Sequence, residues 1–269
     1  MAHRFNDSAL IDRLGTLAVA AGHRVMAHYG CASTTKADGS PVTAADQEAE
    51  EIILEGLAAL LPGVPVLAEE SAAAGKRPAT TDLFVAVDPL DGTREFIARN
   101  GEFTVNIGLV SAGNPVAGIV YAPARHRLWI GAGSKAEAMT LAPGQAITAA
   151  ADRSPIHTRP VPAEGPVALV SRSHPEPTSE AFLARHGVTR RMTLGSSLKY
   201  AVIAEGGADL TVRFGPIAEW DIAAGHAVLV AAGGRMTIPD GTPIVYGRAE
   251  ADFRTTSFLA SSGAFRLAG

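Results

Sequence analysis

The run Leu83-Phe84-Val85-Ala86-Val87 is apolar without a break and leads straight into Asp88-Pro89-Leu90-Asp91-Gly92-Thr93. A short, continuous apolar run reads as a strand buried on both faces, so its sheet must be covered on both sides. Pro89 has no N–H to give to a ladder and is expected to stop the strand there. Asp88 then stands at the strand's carboxyl end, with Asp91 and Gly92 as turn residues. Such a turn aims two carboxylates and a backbone carbonyl at one point while exposing N–H groups to an anion. Hard oxygen ligands with open positions suit Mg²⁺.

With 269 residues, 47% of them hydrophobic, the chain can bury a sizeable core, as one large domain or as two halves sharing a cleft. A net charge of −4 without a Lys/Arg cluster argues against a nucleic-acid surface. A small anionic ligand would need a metal or local dipoles. Cys31 is the only cysteine, which excludes an intrachain disulfide and a thiolate metal site and points to a reducing cytoplasm. The eight histidines form no H-E-x-x-H pattern, and His3, His126, His157 and His186 lie among polar or turn residues, as surface histidines do. No apolar run approaches the ~18 residues of a membrane span. The apolar segment 14–22 imitates a signal peptide, but Asp7 and Asp12 precede it where positive charge should stand, so it reads as a mature helix.

Along the chain, Leu10, Leu14, Leu17, Ala21 and Val25 recur at helical spacing over 8–29, with Asp7 or Ser8 as N-cap. Residues 36–41 form a turn-rich loop. Thr43 with Asp46 three residues on resembles a capping box for a second helix, ended by Pro62-Gly63. In that role Asp46 is simply a carboxylate at a helix start. The segment 64–68 reads as a strand delivering Glu69 and Glu70, and 72–81 as a small, polar, mobile loop. Strands at 103–110, 115–121 and 127–130 form an antiparallel meander. The Pro- and Ala-rich stretch 143–166 carries the expected boundary, with an α+β part at 1–147 and an α/β part at 148–269. In the second part strands at 167–170, 188–194 and 209–213 alternate with helices at 178–186, 197–205 and 222–232, which favours a largely parallel sheet.

Two distant signatures justify a family. Asp88-Pro89-Leu90-Asp91-Gly92-Thr93-Arg94-Glu95-Phe96 and Glu219-Trp220-Asp221-Ile222-Ala223-Ala224-Gly225 together resemble the Mg²⁺-dependent, lithium-sensitive phosphatases of the inositol monophosphatase superfamily. Thr43-Ala44-Ala45-Asp46 and Ala68-Glu69-Glu70-Ser71 add two matches, so the resemblance runs from about residue 8 to 260. Gly195-Ser196-Ser197-Leu198-Lys199, Arg213-Phe214-Gly215-Pro216 and Ser171-Arg172-Ser173-His174 look most like the CysQ-type 3'(2'),5'-bisphosphate nucleotidases. The resemblance implies a layered α/β/α/β/α sandwich of the inositol monophosphatase and fructose-1,6-bisphosphatase type. It also implies Glu69, Asp88, the Leu90 carbonyl, Asp91 and Asp221 as ligands of two or three Mg²⁺ ions. Gly92 and Thr93 would hold the scissile phosphate, and Asp46 and Thr93 would orient the attacking water; with Glu69 these form the catalytic group. Ala68 departs from the Ser that many relatives carry there, which puts a supporting contact in doubt but no ligand.

Two like charges ~4 Å apart repel by about 4 kcal/mol at an effective dielectric near 20, so four such carboxylates cannot all ionise without divalent cations. Haloacid-dehalogenase phosphatases also carry Asp-Gly-Thr, but their aspartates stand at D-x-D spacing, not the D-x-x-D found here. Lys199 is either an exposed helix lysine or a contact to the second phosphate or the adenosine of a bisphosphorylated nucleotide. Arg213 takes either a phosphate or an internal carboxylate. Trp220 is expected to pack beside the site. The implied reaction is hydrolysis of the 3'-phosphate of adenosine 3',5'-bisphosphate, as in sulfur assimilation or nucleotide recycling. Inositol-1-phosphate or another sugar phosphate on the same site is the alternative, and a non-catalytic phosphometabolite-binding regulator is a rival of another class. A monomer or homodimer is expected, in the cytoplasm or peripheral at the inner membrane, without nucleic-acid partners or a transmembrane segment.

Overall fold

The computed structural model describes residues 7–30, 34–35, 41–79 and 82–267. His3, Cys31, positions 36–40 of the expected turn-rich loop and Thr81 lie outside them. Helix α1 (Ser8–Ala27) starts at Asp7, whose side chain accepts the Ala9 N–H at 3.0 Å. A two-stranded ribbon, β1 (Thr34–Thr35) with β2 (Pro41–Val42), precedes α2 (Ala44–Leu60). The capping box predicted from spacing is formed: Thr43 Oγ1 accepts from Ala45 N at 3.1 Å, and Asp46 accepts from Thr43 N at 2.7 Å.

Strand β3 (Val66–Ala68) leads into α3 (Glu69–Ala73), β4 (Leu83–Asp91) and α4 (Thr93–Ile97). The meander follows as β5 (Thr104–Ser111), β6 (Asn114–Ala122), β7 (Arg127–Ala132), β8 (Lys135–Thr140) and β9 (Ser154–Pro155). These strands form a seven-stranded sheet in chain order, parallel only between β3 and β4. The second sheet draws on β10 (Val167–Ser171), α5 (Pro177–Arg185), β11 (Arg190–Leu194), α6 (Leu198–Ala204) and β12 (Leu210–Arg213). β13 (Ile217–Ala218) precedes α7 (Glu219–Ala231) and β14 (Arg235–Thr237), and β13 pairs with β15 (Arg254–Thr255) before β16 (Phe258–Ser261) closes the fold.

Alternation along β4 shows why its apolar run is continuous. Val85 and Val87 pack into the core made with α1 and α2, whereas Phe84 and Ala86 pack into the core made with α6 and α7. The five-stranded sheet, ordered β11-β10-β12-β16-β14, covers the far side of α6 and α7 with Leu169, Phe258 and Ala260. Its other face meets α5 through Ala168, Leu183, Leu210 and Leu259. The result is the expected α/β/α/β/α layering.

Four readings need correction. The second sheet is mixed, not largely parallel: β16 runs antiparallel to both β12 and β14. Both of these added strands lie beyond the alternating segment that suggested parallel pairing. Strand β4 continues past Pro89 to Asp91, because the register shifts between Asp88 and Asp91 and leaves the proline outside the ladder. The 72–81 segment begins as the end of α3, and β8 and β9 extend the meander beyond residue 130.

Helix α7 lies unusually close to the first sheet. Gly108, Gly118 and Gly131 form a row across β5, β6 and β7, with Gly108 paired to Gly118 and Gly118 to Gly131. A Cβ at Gly118 would stand 2.1 Å from the Ala224 carbonyl, and one at Gly131 2.5 Å from the Val228 Cα. The bare strands therefore seat the Ala-rich face of α7, and with it the Asp221 that α7 carries in its first turn. Among the described residues, no helix is long and apolar enough to cross a membrane.

Candidate active site

The parallel register pairs Ala68 with Val87, so Glu69, just past β3, and Asp88, still within β4, follow a paired position side by side. Glu69 is the first residue of α3, and Glu50 of α2 fixes that turn by accepting Glu70 N and Ser71 N at 2.8 Å each and Ser71 Oγ at 2.6 Å. Asp88 is buried and accepts the Leu90 N–H at 3.0 Å, which shapes the bulge. Asp221 arrives from the second half on α7, whose start is anchored by Glu219 accepting Gly247 N at 2.7 Å and Arg248 N at 3.0 Å. Carboxylate oxygens of Glu69, Asp88 and Asp221 all lie within 4.8 Å of one another.

Asp91 enters the same cleft but is held from the other half. It accepts the Ser197 N–H, and Asn106 Nδ2 lies 3.4 Å away. Ser197 Oγ in turn bonds Asn106 Oδ1 and Thr104 Oγ1 at 2.8 Å each. Gly92 adopts φ 92°, a left-handed conformation that suits glycine, and starts α4. A Cβ there would meet the Glu102 carbonyl at 3.1 Å. Thr93 Oγ1 lies 3.1 Å from Asp46 and 3.3 Å from the Leu90 carbonyl. Asp46 itself is fully buried behind the cleft, so it reaches the site through Thr93.

The electrostatics follow from this crowding. Burial, then the charges of Glu69, Asp91 and Asp221, pushes Asp88 far above the usual carboxylate range. Asp221 is raised the same way, by burial and then by Asp91 and Glu69. Burial lifts Asp91 to about 6, against the pull of Lys199 and the Ser197 N–H. Asp46 is raised chiefly by burial. Acceptor-only hard oxygens gathered this tightly fit a divalent cation: its charge would offset a repulsion that the side chains alone relieve only by taking up protons.

Cationic side chains line the same cleft. Lys199 is half-buried, not exposed, and its Nζ bonds the Ser196 carbonyl at 2.6 Å. Arg213 bonds the carbonyls of Gly215 and Pro216 at 3.4 and 3.2 Å, and no carboxylate partner is among these contacts. Arg94 and His174 line it too, and burial followed by the charges of Arg94 and Arg213 lowers His174. Trp220 is 8% exposed and packs in the core at the cleft's edge. The cleft has a volume of about 1040 Å³ and is lined by Glu69, Asp88, Leu90, Asp91, Gly92, Thr93 and Asp221 together with Lys199 and Arg213.

Glu50 and Asn106 escaped the sequence reading, and Ser197 entered it only as part of the 195–199 segment, without its contact to Asp91. Asn106 carried a signal, as a polar residue inside the apolar strand Val105 to Val110. Glu50 looks like any solvated helix charge, and only its fold partner, the start of α3, reveals its role. Elsewhere His226, not singled out among the histidines, is buried and bonds Tyr246 at 2.9 Å.

The chain is 41% identical over 241 residues to the 3'(2'),5'-bisphosphate nucleotidase CysQ of Escherichia coli K12, covering 88% of this chain and 94% of that one. It is 35% identical to the protein of the same name from Buchnera aphidicola, over 94% of each chain. Among solved structures, CysQ from Bacteroides thetaiotaomicron superposes with a TM-score of 0.79 at 32% identity, covering 97% of this chain and 99% of that one. An inositol monophosphatase from Anabaena superposes with a TM-score of 0.74 at 28% identity, covering 96% of this chain and 92% of that one. The model of the inositol monophosphatase family matches residues 8–266. With that match and with an acidic cleft assembled from both halves, the chain belongs to the inositol monophosphatase family.

Proposed function

We propose that this chain is a Mg²⁺-dependent phosphomonoesterase that removes the 3'-phosphate of adenosine 3',5'-bisphosphate to give AMP and phosphate. One observation carries the reading: a single cleft brings together the clustered carboxylates of Glu69, Asp88 and Asp221, with Asp88 buried, and the cationic side chains of Lys199 and Arg213. A substrate with one phosphate for the carboxylate-bound cations and a second for Lys199 and Arg213 matches both sets of groups. Relatives at 41% identity carry the nucleotidase name.

In this reading Glu69, Asp88, the Leu90 carbonyl, Asp91 and Asp221 hold two or three Mg²⁺ ions, with residues 1–147 supplying most ligands and 148–269 completing the site. When bound, the cations supply positive charge to the phosphoryl oxygens and to the departing oxygen. The chain's own groups do the rest. Gly92 and Thr93 hold the scissile phosphate at the turn. Thr93 Oγ1, oriented by Asp46, accepts a hydrogen bond from the attacking water and leaves its lone pair facing phosphorus. The water oxygen–phosphorus bond forms as the phosphorus–O3' bond breaks, and one proton of the water ends on O3' as the hydroxyl of AMP, so no covalent enzyme intermediate is needed. Lys199 and Arg213 take the 5'-phosphate. All these groups belong to one chain, so the reading needs no second copy, and it keeps the cytoplasm as compartment. Nothing supports attachment at the inner membrane.

Phosphate release from adenosine 3',5'-bisphosphate, inositol-1-phosphate and fructose-1,6-bisphosphate, each with and without Mg²⁺, tests the proposal. Mg²⁺-dependent release with preference for the nucleotide is expected. Preference for inositol-1-phosphate would overturn the substrate assignment, and no release from any would overturn the enzyme reading.

A further inference from the structure

Glu176, on the loop between β10 and α5, is a carboxylate of the cleft that the reaction above does not use. Its Oε2 accepts the Phe214 N–H at 2.7 Å and the Ser179 hydroxyl. The Gly215 N–H donates to the same carboxylate, and a Cβ on Gly215 would lie 2.8 Å from Glu176 Oε1. One side chain therefore gathers two successive backbone amides of the 213–216 loop. That loop then turns its carbonyls the other way: Gly215 O and Pro216 O accept from Arg213 Nε and Nη2. The Phe214 ring packs against Phe182 of α5 with centroids 5.3 Å apart, tying the loop to the helix that follows Glu176.

Burial alone would raise Glu176, yet the bonds from Ser179, Phe214 and Gly215 hold it below the ordinary carboxylate range. At neutral pH it is an anion with both oxygens free to accept. A glutamine there would offer one acceptor oxygen and turn an NH₂ toward one of the two amides. The charge, not only the shape, is what the loop needs.

We infer that Glu176 is a positioning residue for substrate selectivity: it holds the 213–216 loop so that the Arg213 guanidinium faces the phosphate that is not cleaved. It thereby sets the preference for doubly over singly phosphorylated nucleotides. This rests on the nucleotidase reading above. Two of the five guanidinium N–H groups are spent on the loop's own carbonyls, which leaves the others to meet a phosphate in the cleft.

The test measures kcat and KM of the full chain at saturating Mg²⁺ on adenosine 3',5'-bisphosphate and on adenosine 3'-monophosphate, which keeps the scissile ester and lacks the second phosphate. In Glu176→Gln, KM for the bisphosphate should rise about tenfold, the size of one weakened charge-assisted hydrogen bond. Its kcat should stay within about twofold, and both constants for the monophosphate should be unchanged, which also shows the variant to be folded. Gly215→Ala should give the same pattern from the other side of the contact. A wild type that prefers the bisphosphate, with variants that keep the full preference or lose both substrates alike, overturns the inference alone. A wild type that treats the two nucleotides equally overturns the nucleotidase selectivity and the inference with it.

Discussion

Glu69, Asp88 and Asp221 reach the cleft from within the regular framework of the fold, whereas Arg213 reaches it as the last residue of β12, where the chain turns into a loop, and His174 reaches it from a loop. On the first side, position is set by sheet register and by the glycine row that seats α7. The side chains crowd within 4.8 Å of one another, with raised pKa values at Asp88 and Asp221. On the second side, the cations sit against backbone carbonyls, and the Arg213 loop owes its shape to Glu176. The difference teaches that the carboxylates rest on the rigid frame, where a small displacement is costly, while the Arg213 guanidinium is also held by the loop after β12, which can be retuned without disturbing that frame.

The largest effect separating the two sides is expected for Asp91→Asn. An asparagine keeps the size of the side chain but removes the ligand's charge, so turnover should fall by roughly three orders of magnitude or more with thermal stability retained. Near-normal kcat would refute the assignment. On the cationic side, Lys199→Ala should raise KM for the bisphosphate by about 10- to 100-fold with kcat little changed, as expected on losing a charge-assisted bond. A fall in kcat at constant KM would place Lys199 with the reaction chemistry instead.

The frame is probed directly by Gly118→Ala. The added Cβ cannot coexist with the Ala224 carbonyl at 2.1 Å, so α7 must shift. Overpacking of this kind costs about 1–3 kcal/mol. A lowered Tm together with weaker Mg²⁺ activation is the expected signature, and an unchanged Mg²⁺ requirement would show that Asp221 had not moved with its helix.

Acid titration gives a smaller, signed effect. Asp91 is raised to about 6 by burial, so in the metal-free protein its stabilising contribution is full below its unfolded value near 3.8 and is lost as pH rises through about 6. Asp88 and Asp221 shift in the same direction. Between about pH 4 and 6 the Tm of the metal-free protein should therefore fall as pH rises, and saturating Mg²⁺ should flatten that slope. A slope of the opposite sign, or one indifferent to Mg²⁺, would count against a cation site here. Inhibition by lithium at moderate concentration, which the family resemblance implies, should be the mildest perturbation, read as loss of turnover without loss of fold.

Much of this was legible before any coordinates. The run 83–87 announced a strand covered on both faces, Thr43 and Asp46 announced a capped helix, and the spacing of Asp88 and Asp91 announced a carboxylate turn. Local chemistry sufficed for each, because periodicity and capping act within one or two turns of chain. Strand β4's passage beyond Pro89 was not legible, since a bulge depends on how the neighbouring strand pairs. Nor was the role of Glu50, whose partners lie 20 and 21 residues away. The mixed pairing of the second sheet was hidden for the same reason, as β14 and β16 are too short to declare their direction.

By itself, then, the amino-acid sequence determined which residues carry charge at the ends of which elements, because those are properties of residue type and short-range spacing. Only the tertiary structure decided which of them meet. Asp221 lies 133 positions after Asp88 by their numbers, and their approach depends on three bare glycines in one sheet that let α7 settle against it. Asp91 is steered by Ser197, and Arg213 by a loop tied to Glu176. Such contacts depend on close packing between layers, which no local pattern encodes.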